Sequence, residues 1–253
     1  MSERVVTYGF WAVFAVAVLF QMVRYVVLSG LTYGLLWVKF REWTERRRVQ
    51  PQAFRPADLK REIRDSVLFN IVTALPVALL AIPEYRSHTQ IYYAAHEHSL
   101  FWIPFAFFAL LFGQDTWVYW IHRWLHENKF MFRTIHIVHH HSTNPSPLAT
   151  FAFHPIEGIM LAGFNVAFVF LVPTYFFAFG AYQVAAIAFN LNGHLGADIL
   201  PQSWRAKPLL KYLNRADIHG DHHRFFNWNY APFFTHWDHW MGTYRGRNGE
   251  STD

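Results

Sequence analysis

His136-Ile137-Val138-His139-His140 and His219-Gly220-Asp221-His222-His223 repeat one histidine spacing at two places in the chain. A third segment, His122-Arg123-Trp124-Leu125-His126, carries a pair of histidines at positions i and i+4. On an α-helix, residues at positions i, i+3 and i+4 lie on the same face. The sequence therefore predicts three helical segments, each of which presents two or three imidazoles together.

These imidazoles indicate a metal site. Imidazole is a good ligand for iron, zinc and copper, whereas a buried polar group without a partner costs about 1–3 kcal/mol. A lone histidine in a membrane protein is usually an interfacial or hydrogen-bonded residue, but chance does not explain the repeated spacing. Because the histidines are too many for one ion of ordinary coordination number, we predict a binuclear centre. The eight predicted ligands are His122, His126, His136, His139, His140, His219, His222 and His223.

The composition predicts an integral membrane protein. Of the 253 residues, 53% are hydrophobic and only 15% are charged, whereas a typical soluble domain has about 25% charged residues. The net charge is +5, but many basic residues lie in residues 39–65, between two apolar segments. That placement is typical of a cytoplasmic membrane flank and argues against a nucleic-acid-binding surface. The chain has no cysteine, which excludes disulfides, thiolate zinc sites and iron–sulfur clusters.

Long apolar segments define the predicted membrane helices, since about 20 apolar residues cross a bilayer. Residues 8–38 are expected to form a single long or tilted helix, retained as an anchor, although a hairpin broken at Ser29-Gly30 also fits. Residues 66–82 and 100–121 are the second and third segments, and residues 155–195 predict a helical hairpin. The expected fold class is therefore all-α: an integral membrane protein with four to five membrane-embedded helices.

The distribution of charge predicts the orientation of these helices. The positive-inside rule places residues 39–65 in the cytoplasm. Counting helices from there places residues 83–99 outside and returns the chain to the cytoplasm at residue 122. The dense histidine segments then share one side, as a cytoplasmic histidine-rich cap on a multi-pass membrane protein. We predict one domain over residues 1–253, with the histidine-rich catalytic region at about residues 114–245.

Six segments carry a resemblance to a known family. They are residues 114–126, 136–140, 144–155, 219–223, 226–230 and 237–244. On these segments the chain resembles the fatty acid hydroxylase/sterol desaturase superfamily, and within it most closely the sterol C-5 desaturase branch (lathosterol oxidases). The combination of segments is highly specific for the superfamily and less so for the sterol branch.

The resemblance implies a non-haem di-iron oxidoreductase that desaturates or hydroxylates a lipid. It implies two iron ions, O2 as co-substrate, and a sterol or acyl lipid as substrate. It adds His194, in Asn192-Gly193-His194-Leu195-Gly196, to the eight ligands above. The sequence has no cytochrome b5-like or flavin-binding segment, so the reductant is expected from a partner of the cytochrome b5 or ferredoxin/reductase type.

Several other polar residues are candidates around the centre. Some relatives have a second histidine four residues from the position of His194, where this chain has Asn190 and Asp198. His154 is either a residue beside the ligands or substrate, or a structural helix start. The candidates for contact with the ligands are His154, Asp198, Asn190, Asp221 and His141, and Asp217 is either such an acceptor or an ordinary surface acid.

The remaining polar residues of the apolar segments have structural interpretations. Asp115 lies about 10 Å along a helix from His122, too far for direct contact, and is expected at the start of a helix on the outer surface. Arg24 either reaches the interface with its long side chain or marks a break in the first helix. Surface positions are predicted for His236 and His239, and positions on the opposite side of the membrane for His88, His96 and His98.

Two other functions remain open on the sequence. The nearer one is a hydroxylase of fatty acyl, sphingolipid or carotenoid chains. The other is of a different class, a histidine-rich metal transporter or a zinc-binding membrane protein. A transporter places its polar ligands near the middle of the bilayer, whereas these histidines lie beyond the predicted helix ends, which disfavours transport.

Overall fold

A computed structural model describes residues 3–50, 52, 54–80, 82–205, 207–208 and 210–246. These residues form a mostly helical structure, which confirms the predicted helical class. The predicted domain of residues 1–253 includes termini, residues 1–2 and 247–253, that lie outside the described part.

The first apolar segment is one long helix, which confirms the single-helix interpretation. Helix α1 (Glu3–Tyr25) continues without a turn into two π-helical stretches, Val26–Gly30 and Tyr33–Lys39. Ser29 is buried in the first of these stretches. The alternative, a hairpin broken at Ser29-Gly30, is therefore not observed, and the helix only widens there. Helix α2 (Arg41–Glu45) follows directly.

Two described helices are long and apolar enough to cross a membrane, Gly9–Lys39 with 31 residues and Pro56–Leu80 with 25. The second is helix α3, which runs through Pro76 without interruption. After it come helix α4 (Pro83–Arg86), strand β1 (Ile91–Tyr92) and helix α5 (Trp102–Glu127). Length alone would let α5 span a bilayer as well, but its C-terminal half is polar, because it carries the first histidine pair.

The second histidine segment lies on a short, irregular helical stretch. Helix α6 (Lys129–Met131) leads into a π-helical turn, Phe132–His136, and then into α7 (Ile137–His140). Asn128 caps α6 by accepting hydrogen bonds from two backbone N–H groups of that helix, which is the usual way for a helix N-terminus to be satisfied. A 3₁₀ turn, Pro147–Phe151, follows.

The predicted hairpin is confirmed. Helix α8 (Pro155–Leu171) and helix α9 (Phe176–Gly193) are joined by a short connection that contains strand β2 (Thr174–Tyr175). Both helices pack against α5. Their shared core includes Leu110, Leu111, Phe168 and Tyr182, and full burial of each large side chain stabilises such a core by about 1.5–3 kcal/mol.

A small parallel strand pair closes the end of the hairpin. Ile91 of β1 pairs with Thr174 of β2, and Tyr92 pairs with Tyr175. The N–H of Gln90 also donates to the carbonyl of Val169 at 2.7 Å. Since α8 is about 25 Å long at 1.5 Å per residue, this end of the molecule is remote from the start of α8, where the histidines lie.

The last helices are short and cover the histidine end of the bundle. They are α10 (Gln202–Arg205), α11 (Ala216–Phe225) and α12 (His236–Trp240). Helix α11 packs on α9, and a Cβ on Gly193 would lie only 3.1 Å from the ring of His219. The close approach of the two helices therefore favours glycine at position 193.

The structure gives Arg24 a role that the sequence did not predict. Its guanidinium donates to the backbone carbonyl of Gln183 at 3.1 Å and to the Oε1 atom of the same residue at 3.0 Å. The helix continues past Arg24, so this residue does not mark a break. It ties the first helix to α9, because a cation in apolar surroundings needs polar partners.

Candidate metal centre

Nine histidines converge at one end of the bundle, in two adjacent clusters. Within each cluster the nearest ring nitrogens all lie within 4.8 Å of one another. The first cluster, as we call it below, is His122, His126, His136, His140 and His222, and the second cluster is His139, His194, His219 and His223. The clusters adjoin, since the ring centroids of His140 and His223 are 4.9 Å apart.

The two repeated segments each contribute to both clusters, which the sequence did not predict. In the segment of residues 136–140, the i and i+4 histidines enter the first cluster, whereas the i+3 histidine, His139, enters the second. In the segment of residues 219–223, the i and i+4 histidines enter the second cluster and His222 enters the first. The single faces predicted for these segments are therefore divided between two neighbouring sites.

Backbone carbonyls fix the orientation of several of these rings. The Nδ1 atoms of His122 and His222 lie 2.6 Å from the carbonyls of Tyr230 and Trp228. His194 Nδ1 lies 2.8 Å from the carbonyl of its own helix residue Asn190. A carbonyl can only accept, so each Nδ1 carries the hydrogen and each Nε2 carries a lone pair.

The lone pairs point into the clusters. In the first cluster, the Nε2 atoms of His126, His136 and His140 form a triangle with 3.0 Å sides. In the second, His219 Nε2 lies 3.2 Å from His194 Nε2 and 3.1 Å from His223 Nε2. Converging lone pairs repel one another unless a cation lies between them, and neutral imidazole nitrogen is a preferred donor for transition metals. The donor set therefore fits two metal ions.

Burial keeps most of these histidines uncharged. Desolvation, reinforced by the neighbouring imidazoles, holds the pKa of His139, His140, His219 and His223 well below its ordinary value. Burial also lowers the pKa of His194 to about 4, although its bond to a carbonyl acts in the opposite direction. All five are neutral at physiological pH, which is the form that binds a metal.

Glu157 is a site residue to which the sequence analysis gave no role. Its Oε1 atom lies 2.8 Å from Nδ1 of His136, and both side chains are buried. Its Oε2 atom is buried without a hydrogen-bond partner among the described residues. A carboxylate on the outer nitrogen fixes the ring and makes it a stronger metal ligand. The signal in the sequence was weak, because an acid in the first turn of α8 also fits the helix dipole.

Asn190 and Asp198 do not join the second cluster, which contains four histidines against five in the first. Asn190 donates its amide to the carbonyl of Thr150 at 2.6 Å. Asp198 accepts from the N–H of Leu200 at 3.3 Å. Asn190 contacts a clustered histidine through its backbone carbonyl, which lies 2.8 Å from Nδ1 of His194.

The other candidates for contact with the ligands differ in their positions. His154 caps α8, because its Nδ1 accepts from the N–H of Ile156 at 3.2 Å. His141 is exposed and lies outside both clusters. Asp217 pairs with Arg215 at 3.1 Å, and Asp221 is buried on α11.

The prediction for Asp115 is wrong. Its side chain is fully buried in the middle of α5, where Oδ1 accepts from the N–H groups of Phe233 and Phe234 at 2.9 and 3.1 Å. His236, predicted at the surface, is instead partly buried beside this carboxylate at 3.6 Å. Asp115 therefore anchors the C-terminal segment to α5. His239 is exposed, as predicted.

Glu62 and Asp238 are further buried acids that the sequence analysis did not select. Glu62 accepts from the hydroxyl of Ser146 at 2.5 Å and so joins α3 to the loop after α7. Asp238 accepts from the N–H groups of Tyr230 and Ala231 at 2.8 and 3.0 Å. No spacing marks either residue, because each serves a loop that is remote in sequence.

The histidines predicted on the opposite side are remote from both clusters. His98 packs against Tyr92 of β1, with ring centroids 4.6 Å apart. Strand β1 lies at the far end of α8, as described above. His88 and His96 belong to the same segment between α4 and α5 and are absent from both clusters.

Comparison with known proteins identifies the family of this site. The sequence model of the fatty acid hydroxylase family matches residues 107–243, which include all nine clustered histidines. The chain belongs to the fatty acid hydroxylase family. No solved structure matches this family member.

Sterol-modifying proteins are among the curated relatives. The lathosterol oxidase of Homo sapiens is 29% identical over 197 residues, which cover 75% of this chain and 64% of that protein. The Delta(7)-sterol 5(6)-desaturase of Aspergillus fumigatus is 28% identical over 251 residues, covering 95% of this chain and 64% of that protein. That of Leptosphaeria maculans is 29% identical over 239 residues, covering 92% and 61%. This fatty acid hydroxylase family member thus spans somewhat under two thirds of the length of these relatives.

Proposed function

We propose that this protein is a membrane-bound, di-iron oxidoreductase that uses O2 and external electrons to desaturate or hydroxylate a lipid. The observation that carries the proposal is the pair of adjoining clusters of neutral imidazoles, whose lone pairs converge at 3.0–3.2 Å. Membership of the fatty acid hydroxylase family supports a lipid as the substrate.

The two clusters are the proposed ligand sets. The first ion would be held by His122, His126, His136, His140 and His222, and the second by His139, His194, His219 and His223. When bound, two redox-active ions supply the activation of O2 that attack on an unactivated C–H bond requires. Iron supports such chemistry, whereas zinc has no redox chemistry.

The protein's own groups orient the ligands and exclude water. The carbonyls of Tyr230 and Trp228 accept hydrogen bonds from the Nδ1 atoms of His122 and His222. Glu157 orients the ring of His136 in the same way. Eight of the nine histidines are buried, and the ninth, His126, is partly exposed. A dry, rigid site of this kind protects reactive species from side reactions.

A sterol-like lipid is the proposed substrate class. Its support is the names of the relatives, lathosterol oxidase and Delta(7)-sterol 5(6)-desaturase. The nearest alternative is hydroxylation of a fatty acyl, sphingolipid or carotenoid chain, which the name of the family itself favours. Desaturation and hydroxylation would begin with the same hydrogen abstraction, so one site can serve either reaction.

The membrane arrangement that we propose has four to five embedded helices with the clusters at the cytoplasmic face. Two helices meet the length and hydropathy expected of a membrane span. The basic segment, residues 39–65, lies at the C-terminal end of the first helix, as expected on the cytoplasmic side. The reductant would then reach the centre from the cytoplasm, carried by a partner of the cytochrome b5 or ferredoxin/reductase type.

A metal transporter is disfavoured by where the ligands lie. His122 and His126 occupy the last turns of α5, and His194 follows the end of α9. A transport site is expected near the middle of the bilayer. Buried imidazoles at the helix ends suit a fixed centre at the membrane surface better.

Metal analysis of the purified protein tests the proposal. After iron-replete expression, we expect two iron ions per chain with a Mössbauer spectrum of a binuclear centre, and O2 consumption on addition of reductant and a Δ7-sterol. Zinc alone, with no O2 consumption for sterol, acyl lipid or carotenoid, would refute it. Product analysis by mass spectrometry then separates an alkene from an alcohol.

A further inference from the structure

A continuous line of tyrosine and tryptophan rings leads from the first cluster to the protein surface. The ring of Tyr230 lies 5.2 Å from that of His126 and 6.4 Å from that of Tyr119. Tyr119 stacks on Trp237 at 5.7 Å, with an angle of 19° between the rings. Trp237 contacts Trp240 at 5.3 Å, and Trp240 is 70% exposed. All these separations are within the range of direct aromatic contact.

The phenol of Tyr119 has a built path for its proton. Its oxygen lies 3.0 Å from the hydroxyl oxygen of Thr243, and that hydroxyl donates to Oδ1 of Asp238 at 2.8 Å. Arg123 donates to the same phenol oxygen at 3.4 Å. Since Thr243 gives its own hydrogen to Asp238, the phenol must be the donor in the bond to Thr243.

Asp238 is suited to receive that proton. The carboxylate is fully buried on α12, and burial raises its pKa to about 6, against the effect of the hydrogen bonds that it accepts. A buried carboxylate with a raised pKa is readily protonated, because the neutral form is better accommodated in apolar surroundings.

The second cluster has no comparable connection. The ring stacked on His139 is Phe153, at 4.1 Å, and Phe153 continues to Phe69 at 5.5 Å. Phenylalanine is not oxidised under conditions that oxidise tyrosine or tryptophan. The residues that can be oxidised therefore lead from the first cluster alone along the contacts described here.

We propose that Tyr119, Trp237 and Trp240 form a redox relay that returns electrons to an over-oxidised metal centre when no lipid is bound. The relay rests on the proposed function, since it needs a centre that generates a strong oxidant. Tyrosine and tryptophan give up electrons only to strong oxidants, so the relay is distinct from the ordinary supply of electrons by the reductase partner. It would protect the histidine ligands from oxidation.

Each step of the relay balances. Tyr119 loses one electron. The electron passes through the ring contact with Tyr230 to the metal centre and lowers the oxidation state of the centre by one. The phenol proton moves to Thr243, whose own proton moves to Asp238, leaving a neutral tyrosyl radical and a carboxylic acid. Tyrosyl and tryptophanyl radicals have similar reduction potentials, so an electron can pass in either direction among Tyr119, Trp237 and Trp240. An external one-electron reductant that reduces Trp240 at the surface then drives the flow of electrons inward. The proton then returns from Asp238 to Tyr119.

The absence of cysteine allows a direct test on the full-length, metal-containing protein. Met241→Cys places the chain's single thiol beside Trp240, at a position that is 39% exposed. A ruthenium photo-oxidant attached to this thiol, excited by a flash in the presence of a quencher, withdraws one electron at the surface. We expect a tryptophanyl radical followed by a tyrosyl radical, both detected by EPR and transient absorption. The tyrosyl signal should be lost in Tyr119→Phe, which assigns it.

Trp237→Phe, on the same labelled background, should abolish the tyrosyl radical while the tryptophanyl radical of Trp240 persists. Trp102→Phe, the same substitution at the first residue of α5, is the matched control and should leave both signals unchanged. Asp238→Asn should slow tyrosyl formation, because the proton acceptor is gone. If Trp237→Phe does not fold, Trp237→Tyr should keep the relay, and Tyr119→Phe still tests it.

A tyrosyl yield in Trp237→Phe equal to that of the labelled parent would overturn the relay, as would a parent that forms no tyrosyl radical. The readout requires neither lipid turnover nor a particular metal. A zinc-loaded protein without oxidase activity would refute the proposed function. The flash experiment would still report whether electrons pass between Trp240, Trp237 and Tyr119. The two failures are therefore distinguishable.

Discussion

The two nitrogens of each clustered imidazole have separate tasks. Nδ1 of His122 is held by a backbone carbonyl at 2.6 Å, and this leaves Nε2 to face the cluster. His136 is held by Glu157 instead. Because backbone positions determine which nitrogen points inward, the ligand orientation depends on loops as well as on helices. Residues 228–230, which supply two of the carbonyls, are therefore as much part of the site as the histidines that they hold.

Replacement of His139 by alanine removes one of four donors of the second cluster. We expect loss of that metal ion and of turnover, with the first ion retained in part. The measurement is metal-to-protein stoichiometry together with product formation. His141→Ala is the control, since His141 is exposed and outside both clusters. Full activity of His139→Ala would show that the ligand assignment is wrong.

Glu157→Gln keeps the size of the side chain and removes its charge. Loss of a carboxylate behind a metal-bound imidazole typically lowers metal affinity by about 10–100-fold. We expect such a loss at the first cluster, measured by competition with a chelator. Glu127→Gln is a matched control, because Glu127 is exposed and pairs with Arg123 at 2.7 Å. Equal affinity in the two variants would mean that Glu157 does not support His136.

Close helix contacts position the elements that carry the ligands. Helices α3 and α8 meet at Gly158, where a Cβ atom would lie 2.9 Å from the ring of Phe69 and 3.0 Å from Cγ2 of Thr73. The same helix α8 begins with the cap by His154 and carries Glu157 in its first turn. A shift of α8 would therefore move the carboxylate that holds His136.

Gly158→Ala should destabilise the protein by about 1–3 kcal/mol, the usual cost of overpacking, and should weaken metal retention at the first cluster through Glu157. Thermal unfolding in detergent and metal content are the measurements. Gly163→Ala on the same helix is the control, since its nearest neighbour would be an ordinary 3.7 Å contact. If both variants behaved alike, the contact of α3 with α8 would not be tight.

For the whole molecule, the sequence predicted which residues form the candidate metal centre better than it predicted where those residues lie. Spacing identified eight histidines, six in the two repeated segments and two in the third, because i, i+3 and i+4 positions are a local property of a helix. The division of each repeated segment between two clusters depends on how α5, α7, α9 and α11 meet, and no local pattern contains that information. Asp115 was misplaced for the same reason. Its partners, the N–H groups of Phe233 and Phe234, are far away in sequence.

Contacts between segments that are distant in sequence separate the features that could be predicted from those that could not. The single long first helix and the α8–α9 hairpin follow from apolar run length and were confirmed. The role of Arg24 was not predictable, because Gln183 is brought to it by the packing of α9. Glu157 was visible as a residue, but its pairing with His136 requires the register of α8 against α7.

The acid stability of the metal-free protein should reflect its buried histidines. The pKa values of eight clustered histidines are lowered in the folded state, to about 4 for His194, whereas an unfolded histidine titrates near ~6.5. Below that value the unfolded state binds more protons, so the free energy of unfolding should decrease as pH falls. For His194 the loss extends from about pH 6.5 to pH 4.

Denaturation of the metal-free protein at a series of pH values measures this dependence. His88→Gln is the control, since His88 is exposed and remote from the clusters, and it should leave the profile unchanged. His194→Gln should flatten the profile between those limits. A stability that is constant from neutral pH to pH 4 would contradict the burial of neutral imidazoles.

The crossed contribution of the two repeated segments has a consequence for how the centre is loaded. His139 and His140 are adjacent in the chain but serve different clusters, as do His222 and His223. Binding of the first ion therefore orders backbone that also carries ligands of the second ion. The second ion then binds at a smaller cost in conformational entropy of the protein. Metal uptake should be cooperative, with a sigmoidal titration and scarcely any singly loaded protein.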